Sequence, residues 1–543
     1  MSSPSQGPDP STVGRAIGGE ESLRLLTQLV SIAPTNLEDI GHGRWEKPNY
    51  LRAADAIVRA ARAVGLATRV YDPTVVGDVK GDWHGAPRPN VIADLDVGAS
   101  ETVLILAHYD VVPVPAEQLG RWKSPPHTLT LRADGRLYGR GSSDDLGSGV
   151  VTSIAALRTL SSETGLKRNV RLIVCCDEET GGEGGVEAIK AHDALLPTND
   201  PSRILRGDVA LIPDGSPEAT GGSSGVAFLE ASFRGPTELR VALAYGQALV
   251  DLHEVARTWR SVYASPDWPN RHAPEPVITG RASVTHFDVS EVPSAERAVR
   301  LVAAHAETDA ANQVAAAVTL LFRGGAEELR SLPSQLAPLV GPPFRLEPAS
   351  ATSLTVPPGT LALQLIGEAT HGGYPHWGHN PVPPTLRLLQ AAIDRNLVDG
   401  RAKGTATFTV DLRLIPEMEL ADGLDAALRY VRAFIENRSP SARIEAPPSR
   451  CRAGYALPVD HPALVRLERI LRETLGASGV RGEYGGTDAS ALRDLTTPKG
   501  DPLPALVFGS MDPPAHIHDA EESADPRLIA AITNSIVRFV REP

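Results

Sequence analysis

Cysteine is almost absent: Cys175, Cys176 and Cys451 are the only three in 543 residues. Three thiols cannot build a disulfide framework. The adjacent pair lies in an apolar run where buried free thiols are expected, which points to a reducing, cytoplasmic compartment. Aromatic residues make up 5% of the chain, and 53 Lys and Arg face 66 Asp and Glu, for a net charge of −13. Without a basic stripe to displace counterions from phosphates, nucleic acid is not an expected partner. No apolar run reaches the roughly 18 residues that span a bilayer, so no membrane partner is expected either. The opening MSSPSQGPDPSTVG lacks the apolar core of a secretory leader, and residues 1–19 read as a flexible tail.

What is present is globular in composition, 42% apolar with 49 Gly and 46 Pro, which excludes disorder for most of the length. A chain this long allows two to four domains at roughly 150 residues each. From Glu20 to Ala219 helical spacing (21–32, 51–64, 147–160) alternates with short apolar runs (91–95, 103–107, 170–176). Buried runs of that kind between helices argue for a mostly parallel sheet covered on both faces. The Gly/Ser stretch 221–225 reads as a hinge. Beyond it, 361–368, 384–394, 405–414, 420–436 and 442–446 follow the order strand, helix, strand, helix, strand, as in a ferredoxin-like α+β unit. Residues 237–340 carry mainly helix signals, and 450–543 returns to the first texture. The expected organisation is therefore one α/β domain formed by 20–224 and 450–543, interrupted by an inserted domain at 225–449.

Five segments carry chemistry, and most follow an expected strand, where α/β sheets present their ligand sites. They are His108-Tyr109-Asp110, Ser143-Asp144-Asp145, Asp177-Glu178-Glu179, Pro213-Asp214-Gly215 and His516-Ile517-His518. Each has a plainer reading by itself: a loop pair, a helix cap, a solvated acidic loop, an Asp-Gly turn, a surface histidine. Three consecutive acids at a buried strand end nonetheless repel strongly unless cations lie between them. His, Asp, Glu, Asp and His from separate segments, with a spare Glu beside one of them, form the inventory of a carboxylate-bridged two-metal hydrolytic site. Mixed imidazole and carboxylate donors favour zinc, with manganese or cobalt as replacements. The loop Thr180–Gly185 does not suit a dinucleotide, because Glu187 stands where the third glycine belongs and acids precede it.

The stretches LILAHYDVVPV, Trp122 to Pro126, DGRLYGRGSSDD, CDEETGGEGG, Pro213-Asp214-Gly215, GEATHGGYPHWGHNP, YGGTDA and AHIHDAEE resemble the di-zinc peptidases and amidohydrolases that include glutamate carboxypeptidase, aminoacylase, carnosinase and peptidase V-type dipeptidases. The resemblance implies a three-layer α/β/α zinc-peptidase domain with an inserted ferredoxin-like lid. It implies two zinc ions, one held by His108 and Asp214, the other by Glu179 and His518, with Asp144 bridging across a cis Asp144–Asp145 peptide. Asp110 would orient His108, and Glu178 would be the general base. His371 would stabilise the oxyanion and Arg413 would grip a substrate carboxylate. His516 competes with His518. Glu522, four residues after His518, fits the family spacing and decides for His518, whereas the Ala-His context favours His516. Leu146 stands where the family usually has lysine. The long insertion resembles the peptidase V lid, whose two similar halves mimic a dimer within one chain. Asp at 214 tilts the expectation to dipeptides or short peptides, with N-acyl-amino-acid deacylation or carboxypeptidase activity as the alternative and a non-catalytic metal binder as the remaining one. The implied assembly is a monomer or homodimer.

Overall fold

The computed structural model describes residues 17, 19–35, 49–81, 83, 85–114, 119–198, 200–268, 271–272, 275–291, 299–306, 313–349, 354–439, 441–476 and 479–542. The chain divides into two compact units. The first holds the described residues up to Ser223, Val262–His272 and those from Tyr455 onward; the second holds Ser224–Ser261 and Ala273–Gly454.

The first unit is an α/β fold around one mixed sheet. Its centre is four parallel neighbours: Arg168–Cys175, Glu101–His108, Val209–Ile212 and Ala505–Val507. Their inward residues are fully buried, including Val103 to Ala107, Leu172 to Cys175 and Leu211, as expected of strands covered on both faces. Outside this centre the direction changes. Asn90–Leu95 joins Arg168–Cys175 antiparallel, Ala67–Tyr71 joins it in turn antiparallel, and Ala219–Ser223 runs against Ala505–Val507. Beyond Ala219–Ser223 the direction is parallel again, with Val480–Glu483 alongside it, and the edge strand Ala67–Tyr71 is largely exposed. Helix Tyr50–Ala63 packs on the two edge strands, while Thr152–Ser161 and Pro462–Leu475 both pack against Pro526–Arg541.

The Gly/Ser stretch is largely strand. Ala219–Ser223 and Gly225–Phe233 are strands separated only by Ser224, and all of 219–227 is buried. Glycine serves close packing here: a Cβ on Gly221 would lie 2.4 Å from Leu464.

The second unit contains a ferredoxin-like βαββαβ motif, with a different membership from the one the sequence suggests. Its elements are strand Gly225–Phe233, helix Leu239–Ala256, strands Arg281–Glu291 and Lys403–Leu414, helix Leu420–Arg438 and strand Ala442–Glu445, and the first strand lies between the third and fourth. Strand Thr360–Ile366 and helix Val382–Asp394 belong to an insertion between its second and third strands. The strands of that insertion, Arg300–Ala306, Ala317–Arg323, Thr360–Ile366 and Arg345–Pro348, extend the same sheet antiparallel in that order. The insertion also carries the helices Ala326–Leu336 and Val382–Asp394. Residues 237–340 hold the helices Leu239–Ala256 and Ala326–Leu336 but also strands the sequence does not suggest, such as Arg300–Ala306, where antiparallel pairing overrides the helical preference of the alanines. Among the described residues no helix is long and apolar enough to cross a membrane.

Candidate metal centre

The parallel order of the four central strands puts their carboxyl ends on one edge of the first unit, and the chemistry-bearing segments follow those ends. His108 closes strand Glu101–His108. Asp214 lies two residues beyond Val209–Ile212. Glu178 and Glu179 open the 3-10 turn after Arg168–Cys175. His518 is in the loop beyond Ala505–Val507.

Asp144 precedes a π-helical turn, Asp145–Val151, that continues as the α-helix Thr152–Ser161, so the expected helix starts with a wider turn. Gly147 is required there, since a Cβ would lie 1.8 Å from the Ser142 carbonyl oxygen. The Asp144–Asp145 peptide is not cis; the one cis bond among the described residues is Pro342–Pro343. The unusual geometry resides instead in the backbone of Asp144, at φ −90° and ψ −100°, with Asp145 also turned into the site.

Two groups of ligand atoms result, each with its atoms within 4.8 Å of one another: His108, Asp144 and Asp214, and Asp144, Asp145, Glu179 and His518. Asp144 belongs to both. His108 Nε2 lies 3.4 Å from Asp145 Oδ1 and 3.9 Å from Asp214 Oδ2. His518 Nε2 lies 3.1 Å from Asp144 Oδ2 and 2.8 Å from Glu179 Oε1. His516 is exposed and joins neither group. Glu178 is half-buried and also outside both.

The electrostatics fit cations. Burial and then the charge of Asp144 push the Asp145 carboxyl well above its usual range. Burial raises Asp214 as well, with Asp144 adding and His108 opposing. Burial alone would lower His108, but Asp145, Asp110 and Asp214 carry it well above the ordinary imidazole value. Burial likewise opposes the rise of His518, which Glu179 and Asp144 produce. Asp144 Oδ1 is buried without a hydrogen-bond partner among the described residues. Buried carboxylates that repel one another, faced by imidazoles and by an orphaned oxygen, are the donor set of divalent cations. The residues present therefore fit the expected metal.

The surrounding shell fixes these groups. Asp110, fully buried, accepts the backbone amide of Glu178 at 3.0 Å on Oδ1 and that of Glu179 at 3.1 Å on Oδ2. Its Oδ1 also lies 3.4 Å from His108 Nδ1. Asp177, at φ 61°, turns away from the cluster, where the Tyr50 hydroxyl donates to it at 2.8 Å and buried Arg88 pairs with it. Glu522 pairs at 2.7 Å with Arg140, both buried, and the Arg140 guanidinium lies over the Trp122 ring. That pair ties the Asp144 loop to the His518 loop. Leu146 is fully buried. The Arg88, Tyr50 and Arg140 contacts were not legible in the sequence, since their partners lie far along the chain.

In the second unit, the backbone of His371 is in the short strand Thr370–His371, paired with Gln313–Val314; its side chain lies outside what the structure describes. Arg413 is 2% exposed and forks onto Asp411, Nε to Oδ1 at 2.6 Å and Nη2 to Oδ2 at 2.7 Å. Directly opposite it, Arg281 donates to the Gly373 carbonyl at 3.0 Å and lies 2.7 Å from His376 Nδ1.

The model of peptidase family M20/M25/M40 matches residues 104–542, and the chain belongs to that family. An uncharacterized metallohydrolase of Methanococcus maripaludis is 31% identical over 202 residues, 37% of this chain and 45% of that protein. The cysteinylglycine-S-conjugate dipeptidase of Corynebacterium striatum is 34% identical over 144 residues, 26% of this chain and 28% of that protein. This chain thus spans about half or less of the length of these curated relatives. The crystal structure of human carnosine dipeptidase 1 aligns over 98% of this chain and 99% of that one, with a TM-score of 0.55 at 15% identity, a likeness of fold.

Proposed function

We propose, with membership of the M20/M25/M40 peptidases as the premise, that this chain hydrolyses the peptide bond of dipeptides or short peptides at a centre of two zinc ions. The observation that carries the reading is Asp144, shared by two ligand groups that each contain an imidazole and at least one further carboxylate. His108 and Asp214 would hold one ion, Glu179 and His518 the other, and Asp144, common to both groups, would serve each. When bound, the ions supply Lewis-acid polarisation of the scissile carbonyl and lower the pKa of the attacking water.

Glu178 would take a proton from the attacking water and pass it to the leaving amine. It is suited to this because Asp110 fixes its backbone while its side chain is left out of the ligand groups. Asp110 sets the orientation of His108 through Nδ1. His371 donates to the developing oxyanion. Arg413 engages the substrate carboxylate by yielding part of its fork to Asp411. Asp at 214 and the dipeptidase names among the relatives support dipeptides as substrates.

The test is hydrolysis of one dipeptide, free and N-acetylated, by zinc- and manganese-loaded protein. Cleavage of the free form alone is expected. Cleavage of the acetylated form alone would move the chain to deacylase or carboxypeptidase chemistry, and inertness toward both would remove the peptidase reading.

A further inference from the structure

The second unit carries another set of metal-competent side chains, independent of the centre above. His286 and Asp288 are two apart on strand Arg281–Glu291, so they share a face of the sheet. Asp288 is the direct antiparallel partner of His305 on strand Arg300–Ala306, which puts His305 on that face too. It is the open face. Phe287 and Val289 point the other way into the core, while Asp288 keeps 39% of its side-chain exposure, His286 28% and His305 20%.

The two rings converge on one carboxylate from opposite sides. His286 Nε2 meets Asp288 Oδ2, and His305 Nδ1 lies 2.5 Å from Asp288 Oδ1. The ring centroids are 5.6 Å apart and nearly perpendicular. One donor atom from each of the three residues falls within 4.8 Å of the others. A carboxylate needs one cation to balance it, and here two imidazoles are committed to the same one.

We propose that His286, Asp288 and His305 form a binding site for a divalent transition ion of the zinc class, clipping the ferredoxin-like motif to the strands inserted in it. Two imidazoles and one carboxylate suit zinc, copper, nickel or cobalt better than calcium or magnesium. Three protein donors leave a position for water, which the open face can supply. The donors come from adjacent strands of one sheet, whose register fixes their separation.

The probe is zinc alone, titrated into the chelator-stripped full chain and counted by equilibrium dialysis with elemental analysis. His286→Gln combined with His305→Gln should bind about one zinc fewer per chain than the wild type. His108→Ala combined with His518→Ala, which disables the other centre, should still bind about one. In the unsubstituted chain, added zinc should shield His286 and His305 from diethylpyrocarbonate, mapped by peptide mass, so the result does not depend on a variant folding. Equal zinc content in wild type and the 286/305 variant, or carbethoxylation of both histidines unchanged by zinc, would mean a hydrogen-bonded triad only and overturn the proposal.

Discussion

Asp110→Asn tests whether one buried carboxylate organises the metal centre. The native side chain accepts two backbone amides, from Glu178 and Glu179, and faces His108 Nδ1. An asparagine offers one acceptor oxygen, so one amide must meet an NH2 group. The loss is one charge-assisted hydrogen bond, about 1.5–3 kcal/mol, plus about 1–3 kcal/mol for a stranded buried donor. Asp110 is fully buried, so screening does not reduce this, and a destabilisation of about 3–5 kcal/mol is expected. Misplacing His108 and the Glu179 backbone should weaken zinc by roughly 10–100-fold. A matched control exists in the same unit: Asp193 accepts the amides of Ile204 and Leu205 at 2.8 and 2.7 Å, outside both ligand groups. Asp193→Asn should cost comparable stability and leave zinc affinity unchanged. Chelator competition gives the affinity and chemical denaturation the stability. Wild-type zinc affinity in Asp110→Asn, or an equal loss in Asp193→Asn, would refute the reasoning.

Glu178→Gln should keep zinc bound while turnover falls by about 10²–10⁴, the usual worth of a general base; normal turnover would remove Glu178 from that role. Arg140→Met strands the buried Glu522 carboxylate and should cost about 3–5 kcal/mol by denaturant titration, whereas Arg140→Met with Glu522→Leu should recover much of it; equal instability of both variants would show that the charge pairing is not the cause. In the metal-free chain the neighbouring carboxylates hold His108 and His518 well above the ordinary imidazole range. Their contribution is therefore complete below about pH 6.5 and lost as pH rises through the raised values. Asp145 and Asp214, also raised, contribute with the same sign from lower pH. Stripped protein should lose stability as pH rises from the carboxylate range, with the histidines adding to the loss above about pH 6.5, while the zinc-induced gain in melting temperature grows; a flat profile for both would refute this.

The candidate ligands are legible because a strand end announces itself: an apolar run stops and a His, Asp or Glu follows, as at His108, Glu179 and Asp214. The part played by Asp145 was not, because adjacent acids are equivalent by spacing and only the backbone of Asp144 turns both inward. The ferredoxin-like motif was misassembled for a related reason. Its second and third strands pair along their length, yet an insertion separates Glu291 from Lys403, and nothing local marks residues so distant as partners. Strands such as Arg300–Ala306 carry Ala where β-branched residues would have flagged them.

The triplet Asp177-Glu178-Glu179 shows how one short acidic run can serve three purposes. Side by side, three carboxylates would repel, and a regular strand or helix would leave two of them on neighbouring directions. The left-handed conformation of Asp177, φ 61°, breaks that regularity, at a cost that Asp tolerates better than most residues. It sends the first carboxylate inward to Tyr50 and Arg88, and the 3-10 turn that follows separates the other two. Glu179 enters a ligand group and Glu178 does not. Gly184 makes the inward turn feasible, since a Cβ there would lie 2.4 Å from Asp177 Oδ2 and 2.7 Å from Arg88. Gly184→Ala should therefore push Asp177 off Arg88, swing the turn and lower zinc affinity without touching a ligand. Zinc binding equal to wild type in a folded Gly184→Ala protein would show that the Asp177 anchor does not position Glu179.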